Sequence, residues 1–337
     1  MQADRILVTR FKSMGDILFT LPAIHALREN FPNHEITFLT SRELMPLLAG
    51  FREVDEVVAL DRSVLRSGNL LRRAREMCSL IRLLRRKKFA LAIDFQGYGE
   101  TAAITWLTQA PRRWGTVYRP IRGCAYTQGI RRNPKIHPAE ANLLLLKQCG
   151  LSIGTVLNEF VLPADIMTEA RQQFAKFELN AHKPALFIQP FTSSPQKNWP
   201  LENYLALAKH WRDAGVQVLF GGGPGELPRL GPVLQAGFPI SAGAPLLVSA
   251  GLAKLCTVVV GGDTGLLHMA VAMNKRVVMI QGPHRHPERF YPFRSPDWKL
   301  MPPAGAPISA IAVQDVIGAS EVAFADRASH FAAAVGE

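Results

Sequence analysis

Short runs rich in Val, Ile, Leu and Phe alternate with helix-length amphipathic stretches along this chain, and the alternation starts afresh past its middle. In the first half, residues 6–9, 36–40, 57–60 and 91–95 read as strands. Apolar runs without a polar partner face suit strands buried on both sides, and strands separated by helices build a parallel sheet with helices on both faces. The longest helical pattern covers residues 69–88. It places Leu70, Ala74, Met77, Ile81 and Leu84 on one stripe and Arg72, Arg75, Arg82 and Arg86 on another. The second half repeats the order, with strands at 185–189, 216–220, 258–260 and 276–280 and helices at 201–214 and 266–273.

A further helix over 165–179 ends in the polar breaker 180–184 (NAHKP), ahead of a fresh strand. The expected domains are therefore 1–180 and 181–337, in keeping with a chain of 337 residues that exceeds what one core usually supports. Two Rossmann-like α/β domains result. Open sheets of this kind bind ligands at the carboxyl ends of their strands, where strand order reverses, which puts the expected site in the crevice between the two domains.

Apolar residues make up 48% of the chain and charged residues 20%, the balance of a folded globular protein. Of the net charge of +12, most lies in front: residues 1–165 hold 24 Lys/Arg against 15 Asp/Glu. Such a field attracts nucleic acid, an anionic membrane surface or a phosphorylated glycolipid alike. Cys78, Cys124, Cys149 and Cys256 are too scattered for a disulfide framework or a zinc site, which fits a reducing cytoplasm. The opening residues carry no secretory pattern, and no apolar run approaches the ~20 residues that span a bilayer. A cytoplasmic protein is expected.

Three strand-to-helix turns carry the chemistry. After the first strand, Arg10, Lys12, Ser13, Gly15 and Asp16 lead into a helix marked by Ile17, Leu21, Ile24, Leu27 and Phe31. Asp16 there suits a general base that takes a proton from a hydroxyl, and Asp is equally a preferred helix N-cap. Arg10, Lys12 and Ser13 suit an anionic ligand. After strand 185–189, the segment 189–200 (QPFTSSPQKNWP) gathers hydroxyls, backbone amides and Lys197 before a helix. Phosphate binding and an ordinary capped loop both fit it. The most specific turn is 258–268 (VVVGGDTGLLH), where a buried strand meets a glycine turn and a helix carrying His268 one turn in. Glycines admit a ligand close to the backbone, and the helix start favours negative charge.

A fourth segment, 220–226 (FGGGPGE), lacks the dinucleotide fingerprint because Pro228 stands where a third glycine belongs. Its Glu226 suits a ribose hydroxyl or plain solvent. The chain also lacks a P-loop, an H-E-x-x-H pair, a C-x-x-C pair and an Asp-x-Asp. Diphosphate neutralisation then falls to Lys197, amides and helix starts, and no obligatory metal or other cofactor is expected.

Taken in order, 5–10 (RILVTR), 13–18 (SMGDIL), 21–23 (LPA), 93–97 (IDFQG), 137–142 (HPAEAN), 197–200 (KNWP) and 262–268 (GDTGLLH) resemble the ADP-heptose:lipopolysaccharide heptosyltransferases. The resemblance runs across nearly the whole chain. It implies a GT-B fold, with two Rossmann-like domains facing each other across a cleft, and inverting transfer of a heptose from ADP-heptose to the Kdo/heptose inner core of lipopolysaccharide. By position it implies Asp16 as base and Lys197 as stabiliser of the leaving diphosphate. Thr192, Ser193, Lys197, Glu226, Asp263, Thr264, Gly265 and His268 would bind the donor. On the acceptor side fall Ser13, Gln96 and Gly97 together with Arg10 and Lys12, with Arg62 and Arg66 the nearest basic residues after the third strand. The implied partner is an anionic Kdo–lipid A type glycolipid met at the cytoplasmic face of the inner membrane, with no nucleic acid. A nucleotide-sugar epimerase of the same fold, a transferase of another sugar in cell-surface glycan synthesis and a non-catalytic polyanion-binding module are the rival readings. The segment 282–290 (GPHRHPERF) is more basic and aromatic than the family's usual small-polar version.

Overall fold

A computed structural model of the chain describes residues 4–282 and 289–334, so most of the basic segment 282–290 lies outside the described residues. The chain divides into two compact units, Met1–Val161 and Leu162–Glu337.

The first unit holds six strands: β1 (Arg5–Thr9), β2 (Glu35–Ser41), β3 (Glu56–Leu60), β4 (Leu91–Asp94), β5 (Arg112–Val117) and β6 (Gln128–Arg131). They form one parallel sheet in the order β3-β2-β1-β4-β5-β6. The second unit holds β7 (Ala185–Gln189), β8 (Gln217–Gly222), β9 (Ile240–Ala242), β10 (Val258–Gly262), β11 (Arg276–Ile280) and β12 (Lys299–Leu300). Its parallel sheet runs β12-β11-β10-β7-β8-β9, which is the same winding repeated. In each sheet the order reverses once, between β1 and β4 and between β7 and β10. The central strands are buried on both faces, which is why their sequences are nearly continuous in Val, Ile and Leu.

On one face of the first sheet, Leu7, Leu39, Val58 and Ala92 pack with Leu80, Ile81 and Leu84 of the long helix Leu70–Lys87. That helix starts where Asn69 accepts the Arg72 amide and stops where Lys88 turns left-handed, within a residue of the expected bounds. In the second unit Leu186, Ile188, Val218, Val260 and Ile280 pack with Trp199, Tyr204 and Trp211. Trp199 is fully buried, and its indole N–H donates to Ile311 O at 2.9 Å.

The helix Ala164–Lys176, which the sequence places in the front domain, is grouped with the second unit. It packs against the helix Leu246–Leu255, and at Gly251 a Cβ would stand 2.5 Å from that of Ala170. The polar breaker at 180–184 is thus a helix-to-strand loop inside one unit. Strands β5, β6, β9 and β12 were not anticipated, because their residues carry no sustained apolar pattern. In β5 a glycine, Gly115, is needed because a Cβ would come 2.2 Å from the Tyr126 ring. All four cysteines are free thiols. Among the described residues no helix is long and apolar enough to cross a membrane.

Candidate active site

The first sheet reverses between β1 and β4, and the loops leaving these two strands are bound together. Phe11 N donates to Gln96 Oε1 at 2.8 Å, and Arg10 donates to Phe95 O. Gln96 and Gly97 are buried, and their amides both donate to Asp94 Oδ1, at 2.8 and 2.9 Å. The other Asp94 oxygen accepts from the Tyr126 hydroxyl at 2.7 Å. Burial pushes the Asp94 carboxyl above its ordinary value, against the four hydrogen bonds that favour its charge. Gly97 has φ 68°, and a Cβ there would lie 1.9 Å from Thr116 O, so only glycine fits this turn.

Asp16 lies in the first turn of the short helix Met14–Leu18, where Ser13 is the N-cap residue. The capping role open to Asp16 in the sequence therefore takes a different form: its Oδ2 accepts the Ser13 amide at 3.0 Å, as the third helical residue of a capping box does. Its Oδ1 is 2.9 Å from Arg10 Nη2. Lys12 and Ser13 are exposed beside it, and the Lys12 ammonium stands 5.7 Å from the centre of the Tyr98 ring. Arg62 lies 5.5 Å from the Phe11 ring and is paired with Glu100 at 2.8 Å. Arg66 is exposed at the end of the same helix, Arg62–Ser67, and its carbonyl accepts from Arg73.

The second sheet reverses between β7 and β10, and again the two loops meet. Gly262 closes β10 against the loop after β7, so tightly that a Cβ would lie 2.4 Å from Thr192 Cγ2. The Thr192 amide donates to Asn198 Oδ1 at 2.8 Å and its hydroxyl to Ser194 O at 2.9 Å, while Ser193 is exposed at the tip. Lys197 Nζ reaches to 3.9 Å from Asp263 Oδ2, and Asp263 Oδ1 is 2.9 Å from Nε2 of the buried His268. Thr264 is the N-cap of the helix Gly265–Ala272, its side chain accepting the Leu267 amide. Asp263 is thereby released from capping to bridge Lys197 and His268.

Glu226 sits apart from that bridge, after β8. Its Oε2 accepts the Gly223 amide at 2.6 Å, which folds the glycine turn around the carboxylate. Arg229, a few residues on, stacks 3.7 Å from the centre of the Phe191 ring and so ties this turn to the loop after β7. Among the described residues no group of three or more His, Cys, Asp or Glu side chains is placed to hold a metal ion.

Every site residue read from the sequence therefore lies on a loop leaving the carboxyl end of a strand or on the short helical turns that follow it, as Asp16, Lys197, Gly265 and His268 do, with Arg62 and Arg66 on the helix after β3. Sequence reasoning missed Asp94, Tyr126, Asn198 and Trp199 as the groups that hold those loops. The signal for the last two was present in the run 197–200, where an Asn and a Trp directly follow the lysine.

Two parallel six-stranded sheets of identical winding, each with polar loops at its switch point, match the GT-B fold of solved glycosyltransferase structures. The chain belongs to glycosyltransferase family 9 (heptosyltransferase), whose profile matches residues 77–297. Lipopolysaccharide heptosyltransferase 1 from Escherichia coli is 24% identical over 298 residues, covering 83% of this chain and 88% of that protein. Among solved structures, the glycosyl transferase family 9 protein from Veillonella parvula has a TM-score of 0.85 at 20% identity, covering 97% of this chain and 99% of that one. The E. coli heptosyltransferase WaaC with ADP has a TM-score of 0.77 at 21% identity, covering 95% of this chain and 99% of that one. These two likenesses show the fold.

Proposed function

We propose that the protein is an inverting heptosyltransferase that moves a heptose from ADP-heptose onto the Kdo/heptose inner core of lipopolysaccharide. The observation that carries this reading is the division of labour between the two switch points. One presents a carboxylate, Asp16, held by Arg10 and Ser13. The other presents Lys197, a helix start and the Asp263–His268 pair.

In the proposed step Asp16 takes the proton of the acceptor hydroxyl as its oxygen bonds to the anomeric carbon. The bond from that carbon to the diphosphate oxygen breaks, configuration inverts, and negative charge grows on the leaving ADP. Lys197, the Ser193 amide in the loop that Thr192 shapes and the start of the helix at Gly265 stabilise that charge more in the transition state than in the ground state. Asp263, Thr264 and His268 hold the donor sugar and phosphates, and Glu226 the ribose. Ser13, Gln96 and Gly97 line the acceptor side, where Arg10, Lys12, Arg62 and Arg66 supply positive charge for an anionic glycolipid. No metal is assigned a part, and the reaction belongs at the cytoplasmic face of the inner membrane, where such an acceptor lies.

The deciding experiment is mass spectrometry of a defined Kdo–lipid A acceptor after incubation with a panel of nucleotide sugars. A gain of one heptose from ADP-heptose is expected. Conversion of the donor sugar without acceptor, or a gain of a different sugar, would overturn the assignment.

A further inference from the structure

The helix Leu70–Lys87 carries seven basic residues and one acid, Glu76. Only its later turns are rooted in the core, through Leu80, Ile81 and Leu84. Its first six residues, 70–75, are all exposed, and among them Leu70 and Leu71 are 80% and 81% exposed. Two adjacent leucines left in water at a helix start are costly unless something covers them.

At a 3.6-residue repeat, Leu71, Arg75, Cys78, Arg82 and Arg86 fall on one stripe, turned away from the stripe of Ile81 and Leu84. All five are exposed. Among the described residues, Arg72, Arg75, Arg82 and Arg86 form no ion pair, although the unit carries acids elsewhere that pair with Arg5, Arg28, Arg62 and Lys87. At the far end Arg85 donates to Leu107 O at 2.8 Å, and the adjoining Trp106 is 57% exposed. Unpaired cations along one stripe, apolar side chains at one end and an indole at the other match the chemistry of an anionic lipid–water interface. Headgroups meet the guanidiniums there, and leucine and tryptophan enter the boundary with the acyl chains. A nucleic acid or acidic protein would use the arginines and leave Leu70 and Leu71 in water.

We propose that the outward stripe of the helix Leu70–Lys87, together with the exposed first turn at Leu70 and Leu71 as the inserting end, docks the protein on an anionic lipid bilayer. This deepens the reading that the acceptor is a membrane glycolipid, because it names the surface that delivers the enzyme to it. Docking is separable from catalysis, since none of the stripe residues belongs to the site.

The test is co-sedimentation of the full chain with vesicles of phosphatidylcholine alone and of phosphatidylcholine mixed with phosphatidylglycerol, without donor or acceptor. Binding is expected only to the anionic vesicles, weakening as salt is raised. Replacing Arg75, Arg82 and Arg86 by Gln should lower the partition coefficient roughly a hundredfold, at about fivefold per cation. Leu70→Ala with Leu71→Ala should lower it by at least about tenfold in a way that salt does not reproduce. Circular dichroism checks that each variant folds. With a detergent-dispersed acceptor the variants should turn over as the parent does, so a failure of docking and a failure of the heptosyltransferase reading give different results. Equal binding to neutral and anionic vesicles, unchanged binding by both variants, or equal affinity for a DNA duplex would overturn the proposal.

Discussion

Arg10 Nη2 lies 2.9 Å from Asp16 Oδ1, and the arginine side chain is only 10% exposed. A guanidinium so placed holds one carboxylate oxygen while the Ser13 amide holds the other. Asp16→Asn keeps an oxygen for the Ser13 amide but loses both the capacity to take a proton and the charge that pairs with Arg10. Transfer should fall about 10²–10⁴-fold, the usual worth of a general base, while donor affinity measured by calorimetry stays the same. Near-normal turnover would remove Asp16 from its role.

Lys197 reaches Asp263 only at 3.9 Å, a distance that leaves its ammonium available to a closer anion. Lys197→Met should cut kcat by about 10²–10³ and change donor affinity far less, because the charge it meets develops during bond breaking. Single-turnover kinetics separate the two effects.

Gly262→Ala should weaken donor binding, because its Cβ would meet Thr192 Cγ2 at 2.4 Å and push the loop after β7 aside. Overpacking of this kind costs about 1–3 kcal/mol. Adding Thr192→Ser removes the obstructing methyl and keeps the hydroxyl, so the double variant should recover affinity. A double variant no better than Gly262→Ala would show that the contact is not the cause.

Tyr126→Phe removes one donor from the buried Asp94 carboxyl, whose other oxygen holds the Gln96 and Gly97 amides. A cost of about 1–3 kcal/mol in stability is expected, with KM raised for acceptor and unchanged for donor. Equal rises in both would indicate general loosening instead.

Glu56 joins β3 to the end of the long helix through Lys87. Burial opposes its ionisation, but the Lys87 hydrogen bond and charge outweigh burial and hold it below the ordinary 4.5. A carboxylate with a lowered folded value contributes stability that is fully present above pH 4.5 and disappears as pH falls through the folded value. Urea denaturation should show Glu56→Gln less stable than the parent at neutral pH and equal to it in acid below the carboxylate range.

The strands at the centre of each sheet were legible because burial on both faces leaves a continuous apolar run, as in β1, β4, β7 and β10. Edge strand β6 (QGIR) escaped because it is largely exposed and owes its place to pairing with β5. Helix Ala164–Lys176 was read as a helix, but its membership of the second unit depends on Gly251 meeting Ala170, a contact between distant parts of the chain. Asp16, Lys197 and Asp263 stood out because each lies on a strand-to-helix turn. Their partnerships did not, since Arg10 with Asp16 and Asp263 with both Lys197 and His268 are choices among several charged neighbours that spacing cannot make.

The two sheets repeat one winding without sharing a strand. Each network of backbone hydrogen bonds therefore ends at its own rim, β3 and β6 in one unit and β9 and β12 in the other. A substitution that reshapes the loops after β1 and β4 reaches no further through the sheet than those rims. The hydrogen bonds of one sheet thus carry no change in its own loops to the loops after β7 and β10.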